Sequence, residues 1–251
     1  MMSWTTMEMI HDLLGYDNLK IIQKEGMFAF SLDSMLLAHF VQTKEIPQKI
    51  IDLGCGNAPI PLYLTLKTAS PIIGVELQQE AYELAVKSVE LNNLQQQISI
   101  IKTDIMNVHK QLGANVFDIV TSNPPYFKYH AKSRTNESDF LTIARHEVKI
   151  TLSDIIEEAM KLLKTKGSLY MVHRCERLAE VVSLLEKNRF GIKKMRFVYP
   201  RTDSKQALLF LFEAKQNQKH DVVIEPPLYV LNSYESYTQE ALTIFNFKKP
   251  K

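Results

Sequence analysis

From Ile50 onward the sequence alternates short β-branched runs with stretches of helical period, and this alternation leaves few architectures open. "KIIDLG" reads as a strand, "PLYLTLKT" as a helix and "PIIGVE" as a strand. "QQEAYELAVKSVELNN" reads as a helix with Ala81, Leu84, Ala85 and Val89 on one side, and "ISIIKTD" and "VFDIVTSN" as further strands. A helical crossover returns each strand in the direction of the one before it. The expected fold is therefore α/β, a mostly parallel sheet covered on both faces. In "TLSDIIEEAMKLLKTKG", Thr151 and Asp154 have capping-box spacing and Gly167 is the expected stop. "SLYMVH", a helix around Leu178 to Leu185, "IKKMRFVY" and "QALLFLFEA" complete the series. Only "PRTDSK" separates the last two strands, too short for a helix, so they should pair antiparallel at the sheet edge. Ser236 and Gln239 in the proline-marked tail predict a short, capped final helix.

Composition narrows the class. A hydrophobic content of 45% over 251 residues suffices for a large core. The start "MMSWTTMEMIHDLL" has no basic leader, and no run reaches the ~18 apolar residues of a membrane span. A soluble, cytoplasmic protein is expected. Cys55 and Cys175 have no paired spacing, so neither a disulfide framework nor a metal site is expected. Residues 1–125 carry 8 Lys/Arg against 13 Asp/Glu, and residues 126–251 carry 22 against 15. A basic half of that kind suits a polyanionic partner if its cations share a face.

A strand, then "DLGCGNAPIPL", then a helix is an arrangement that can bring a ligand onto backbone amides, with Gly54 and Gly56 allowing the sharp turn. The pyrophosphate fingerprint wants a third glycine where Pro59 stands, which argues against a dinucleotide but leaves a nucleoside open. Glu76 closes "PIIGVE", 22 positions beyond Gly54, where a carboxylate can accept from both ribose hydroxyls. Asp104 closes "ISIIKTD" and can accept from an adenine amino group. An adenosine-containing ligand is expected.

"SNPPY" ends the next strand. An exocyclic amine or a carboxamide is a poor nucleophile because its lone pair is delocalised. Two acceptors aimed at its two N–H groups favour localisation selectively in the transition state of methyl transfer. Asn123 offers a side-chain oxygen and Pro124 its carbonyl, Pro125 keeps Pro124 extended, and Tyr126 supplies a stacking face.

Motif by motif the chain resembles class I S-adenosylmethionine-dependent methyltransferases of the amino-methylating group. Within that group it is most similar to the bacterial tRNA1(Val) adenine-37 N(6)-methyltransferase family. The resemblance is carried by "FAFSLDSMLLAHF", "DLGCGNAPIPL", "GVEL", "KTDI", "SNPPY", "ARHE", "PPLYV" and "YTQE", nearly the whole chain. It implies a Rossmann-like, seven-stranded, mostly parallel sheet with an antiparallel edge hairpin. It further implies a short N-terminal extension, residues 1–47, packing on the cofactor site of a domain over residues 48–251. The implied cofactor is S-adenosyl-L-methionine. Gly54 and Gly56 would face its methionine part, Glu76 its ribose and Asp104 its adenine, with Asp52, Asn57, Leu77 and Ile105 lining the same site. Asp33, by itself only an N-cap, would help Ser34 close that site. Asn123 and Pro124 would hold the target amine, with Pro125 and Tyr126 completing the catalytic group.

The segment after the hallmark mixes Lys128, Lys132, Arg134, Arg145 and Lys149 with Tyr129 and Phe140, and reads as a flap suited to phosphates and splayed bases. Lys193, Lys194, Arg196 and Arg201 form a second basic cluster on the edge hairpin, where part of it serves to solubilise an edge strand. Adjacent His146 and Glu147 do not face each other on a helix. The expected partner is tRNA, with no membrane and no metal, and the sequence carries no signal of oligomeric state. Alternatives from the same residues are a protein-glutamine methyltransferase acting on a release factor, a ribosomal RNA guanine methyltransferase, and a noncatalytic RNA-binding module.

Overall fold

The structure is a computed structural model and describes residues 8–24, 32–124 and 150–246. A hairpin of β1 (Glu8–Leu13) and β2 (Tyr16–Lys24) precedes α1 (Leu32–Phe40). The strand–helix series follows as β3 (Ile50–Leu53), α2 (Pro59–Leu64), β4 (Ile72–Glu76), α3 (Gln79–Leu91), β5 (Ile98–Lys102), α4 (Val108–Leu112) and β6 (Phe117–Ser122). After residue 150 come α5 (Leu152–Leu162), β7 (Leu163–Arg174), α6 (Leu178–Lys187), β8 (Phe190–Arg201) and β9 (Leu209–Gln216). The tail adds β10 (Val223–Ile224), β11 (Leu228–Leu231) and α7 (Gln239–Phe245).

One sheet organises these elements in the order β10-β8-β9-β7-β6-β3-β4-β5, with β11 also on β8. The pairs β5–β4, β4–β3, β3–β6 and β6–β7 are parallel, and β9 runs antiparallel between β7 and β8. Successive side chains of a strand go to opposite faces. Ile50, Ile119, Tyr170 and Val172 accordingly join the cluster under α1, α2, α3 and α7, while Ile51, Val120, Leu169 and Met171 join the one under α4, α5 and α6.

Three expectations are corrected. Helix α5 keeps its Thr151–Asp154 capping box but ends at Leu162, not at Gly167. Leu163 already pairs with Phe117, pairing resumes at Ser168, and the intervening lysine-rich turn carries Lys166 at φ 65°. Sheet pairing of Leu163 with Phe117 ends the helix there. The final helix is capped by the Thr238 hydroxyl accepting from the Ala241 amide, so Ser236 plays no part. The β8–β9 pair is antiparallel as expected, but β8 is not outermost, because the two short tail strands add to it in parallel.

The hairpin and the tail hold each other. The Gly15 amide donates to Phe245 O (3.0 Å), and the Asn246 side chain donates to Gly15 O (2.8 Å). A Cβ at Gly15 would stand 2.1 Å from the Asn246 carbonyl oxygen, which is backbone and cannot swing aside. Gly15→Ala is expected to cost about 1–3 kcal/mol, read as a lowered midpoint in thermal unfolding.

Candidate active site

In an open parallel sheet, ligands sit beyond the carboxyl ends of the strands. Parallel register brings four loops to that edge: residues 54–58 after β3, Glu76 and Leu77 at the end of β4, Asp104 and Ile105 after β5, and Asn123 and Pro124 after β6.

Gly54 and Gly56 have φ of +74° and +56°, the left-handed region their lack of a Cβ makes easy. Ala58 follows at φ 72° without that relief, and Pro59 opens α2 at a position where its missing N–H is no loss. Four of the five amides of this loop are taken up within the protein. Those of Gly54 and Cys55 both donate to Val75 O (2.9 Å each), that of Gly56 to Glu76 Oε2 (3.0 Å) and that of Ala58 to Cys55 O (2.9 Å). The strand end of β4 thus takes three of the amides that the sequence suggested for a ligand, through Val75 O and Glu76. What the loop offers is space: among the described residues nothing lies within 4 Å of a Cβ built at Gly56 and only Ile105 Cδ1, at 3.8 Å, near one at Gly54.

Acceptors dominate the remaining wall. Glu76 is buried and bridges two loops, since its Oε1 takes the Gln78 amide (2.8 Å) while Oε2 takes that of Gly56. Each oxygen keeps a second lone pair. Asp104 is half-buried and turns its chain by accepting from the Met106 amide (2.9 Å). Asp52 lies beneath the loop, 1% exposed, its Oδ1 accepting from Thr121 Oγ1 at 2.6 Å and its Oδ2 without a hydrogen-bond partner among the described residues. Burial pushes its carboxyl up to about 7, against the lowering effect of the Thr121 hydroxyl and with help from the charge of Glu76.

That shift has a sign. A carboxyl raised from 3.8 unfolded to about 7 folded binds its proton more tightly in the native state. Its stabilising contribution is complete below the unfolded value and is lost as pH rises through 7. Asp52→Asn keeps an acceptor for Thr121 and removes the titration. Urea unfolding at pH 5 and pH 8 should then show the wild type losing on the order of 2–3 kcal/mol more than the variant.

Asn123 is fixed from the opposite side. Its Nδ2 donates to Ser34 Oγ (2.9 Å), which sets the amide so that oxygen is its other end. Ser34 is buried in α1, whose last turn is held by the Lys67 ammonium on the carbonyls of Ala38, His39 and Val41. Asp33 lies inside the first turn of α1, not at its cap. Pro124 is buried; Pro125, Tyr126, Lys128, Lys132, Arg134, Arg145, His146 and Glu147 lie outside the described residues. Two hydroxyls that composition gave no reason to single out bolt β6 to β3: Thr121 on Asp52, and Ser122 Oγ on Leu53 O (2.9 Å). The polar run "TSN" ending an apolar strand was the available signal.

Asn57 serves the N-terminal hairpin, its Nδ2 donating to Ile22 O at 2.9 Å, while the Ile22 amide donates to Ser88 of α3 (3.0 Å). The second basic cluster faces acids. Lys194 pairs with Glu225 (3.1 Å), and Arg201 with Asp203 (3.0 Å) and Glu235 (3.5 Å). Arg196 pairs with Glu240 (2.7 Å), and Lys193 is half-buried. Lys194 lies on the hydrogen-bonding row of Glu213, Tyr170, Thr121 and Asp52, four strands from the last and so roughly 19 Å away. Among the described residues no group of three or more His, Cys, Asp or Glu could hold a metal ion, and no helix is long and apolar enough to cross a membrane.

A glycine turn after the first sheet strand, acids after the next two and an Asn-Pro step after the fourth, on a sheet with one reversed strand inserted near its end, define the class I methyltransferase fold. The methyltransferase small domain family matches residues 18–195, and the chain belongs to that family. A tRNA1(Val) (adenine(37)-N6)-methyltransferase from Flavobacterium psychrophilum is 23% identical over 92% of this chain and 97% of its own length. Among solved structures, one described as a predicted O-methyltransferase from Agrobacterium tumefaciens superposes with a TM-score of 0.68 at 21% identity, over 85% of this chain and 95% of that one. A geranyl diphosphate C-methyltransferase from Streptomyces coelicolor, in complex with Mg2+, geranyl diphosphate and S-adenosyl-L-homocysteine, reaches 0.55 at 10% identity, over 74% of this chain and 78% of that one.

Proposed function

We propose that this protein is a cytoplasmic enzyme that methylates the exocyclic amine of an adenine in tRNA, with S-adenosyl-L-methionine as donor. Its relatives' names specify adenine 37 of valine tRNA. The observation that carries the reading is the Asn123–Pro124 step at the end of β6, its amide held by Ser34 and its strand held to β3 by Thr121 and Ser122.

The residues fit the donor. The wall offers carboxylates and spends its amides internally, which suits a ligand bearing positive charge better than a phosphate. Asp52 Oδ2 is a buried acceptor lacking a hydrogen-bond donor among the described residues, and an ammonium group of the methyl donor's methionine part would supply one. Glu76 would accept from the ribose hydroxyls with its remaining lone pairs, and Asp104 from the adenine amine. Leu77 and Ile105 would flank the adenine, and the segment before residue 48 would close the site through Ser34 and Asp33. When bound, the donor supplies an electrophilic methyl on a sulfonium. Asn123 Oδ1 and the Pro124 carbonyl accept the two N–H groups of the target amine and hold its nitrogen with the lone pair free of the ring. Preorganisation by Ser34 means neither acceptor has to reorient as charge develops. Tyr126 would stack on the base, and Lys128, Lys132, Arg134 and Arg145 would serve phosphates.

Incubating the purified protein with labelled methyl donor and, separately, bulk tRNA, ribosomal RNA, DNA and a release factor tests the substrate. Label in tRNA is expected. Label confined to the release factor would transfer the same acceptor pair to a glutamine carboxamide, and the adenine reading would be abandoned.

A further inference from the structure

The sheet overhangs the active-site edge on one side. The row through Ser122, at the end of β6, continues through Met171 and Phe212 to Met195, and β8 then runs on to Arg201. Two tyrosines stand together on this overhang. Tyr199 of β8 and Tyr229 of β11 are register partners in parallel strands, with ring centroids 5.2 Å apart and planes tilted by 35°. Val198, Leu228 and Val230 turn into the core on one face, so alternation puts both rings on the other. Both residues remain half-buried, and neither hydroxyl makes a hydrogen bond among the described residues. Tyrosines built into this fold behave otherwise, as the Tyr63 hydroxyl shows by donating to Ile244 O (3.1 Å) from a ring that is 3% exposed. Tyr234, in the turn after β11, is 87% exposed.

Aromatic side chains at matching positions of neighbouring strands, open on one face, are the means by which sheet-type RNA binders stack splayed bases. The charge beside them fits. Arg201 is in register with Leu231 two residues further along; its side chain is 42% exposed and, among the described residues, is held by the exposed acids Asp203 and Glu235, which a phosphate can replace; Lys205 is exposed in the same turn. Three strand spacings and four residues of rise separate Tyr199 from the end of β6, roughly 20 Å in all, and Tyr229 lies one strand further. The base received there is therefore a flanking one, not the target.

We propose that Tyr199 and Tyr229 form a stacking platform for an unpaired base flanking the methylated adenine, with Arg201 on a neighbouring phosphate. This rests on the reading of the substrate as RNA. The test compares wild type, the double variant Tyr199→Phe/Tyr229→Phe and the double variant Tyr199→Ala/Tyr229→Ala. Each is assayed for binding of a fluorescein-labelled, unmodified valine tRNA transcript and for steady-state methyl transfer to the unlabelled transcript. The alanine pair is expected to raise Kd and KM for RNA about 10- to 100-fold, with kcat and the KM for donor within twofold of wild type. The phenylalanine pair should bind as wild type does. Unchanged RNA affinity in a folded alanine variant overturns the platform, and so does an equal rise in the KM for donor. If the alanine pair fails to fold, Tyr199→Leu/Tyr229→Leu replaces it, keeping apolar volume while removing the flat face. The two readings fail separately: wild type that binds the transcript through these tyrosines but methylates no RNA refutes the substrate, and wild type that does not bind it refutes the platform as well.

Discussion

Replacing Asn123 by alanine should lower kcat for methyl transfer about 10²- to 10³-fold while leaving donor affinity within a few-fold of wild type. The asymmetry follows from what the side chain touches. Its nitrogen is held by Ser34 and its oxygen is assigned to the incoming amine, whereas the wall that suits the donor is built from Asp52, Glu76 and Asp104 on other strands. In the proposed mechanism, removing the amide deletes one of two acceptors that matter only as the lone pair localises. Asn123→Asp keeps an oxygen at that position and exchanges the Ser34 contact for one in which the serine hydroxyl donates, so part of the activity should return. Single-turnover rates with pre-bound donor separate the chemical step from binding. Wild-type rates in Asn123→Ala would remove this residue from the mechanism.

The second large effect belongs to Glu76. Its two oxygens hold the Gly56 and Gln78 amides, so alanine both deletes the acceptor proposed for the ribose and releases the loop that shapes the site. Hydrogen bonds to a charged group contribute about 1.5–3 kcal/mol each. A loss of roughly 10²- to 10³-fold in affinity for S-adenosyl-L-homocysteine by calorimetry is expected for Glu76→Ala, with Glu76→Gln intermediate because an amide oxygen can still accept one amide. Affinity within threefold of wild type in the alanine variant would mean the ligand sits elsewhere.

Local signals were strong where one short stretch contained the whole physical reason. The strand–helix alternation, the capping box at Thr151, the antiparallel final pair and the positions of Gly54, Glu76 and Asn123 at strand ends were all legible in this way. What stayed hidden depended on partners distant in sequence. The β1–β2 hairpin is held to α3 and the glycine loop by Ser88, Asn92 and Asn57, none of which signals a strand partner some 35 to 72 positions away. The loop amides look available in sequence, whereas in the fold Val75 O takes two of them. The ion pairs of Lys194 with Glu225 and of Arg201 with Asp203 and Glu235 were hidden in the same way, because a cation looks free in sequence. The end of α5 was misplaced for a related reason: the parallel partner of Leu163 is Phe117, and sheet pairing decided where the helix stopped.

The atom of the adenine that accepts the methyl group is decisive, because two oxygens placed to take N–H hydrogen bonds have no purchase on a ring nitrogen that carries no hydrogen or on a ring carbon. Enzymatic digestion of the methylated tRNA to nucleosides, followed by chromatography against standards, measures this directly. N6-methyladenosine as the labelled product is the result predicted; 1-methyladenosine or 2-methyladenosine would contradict the assignment of Asn123 and Pro124.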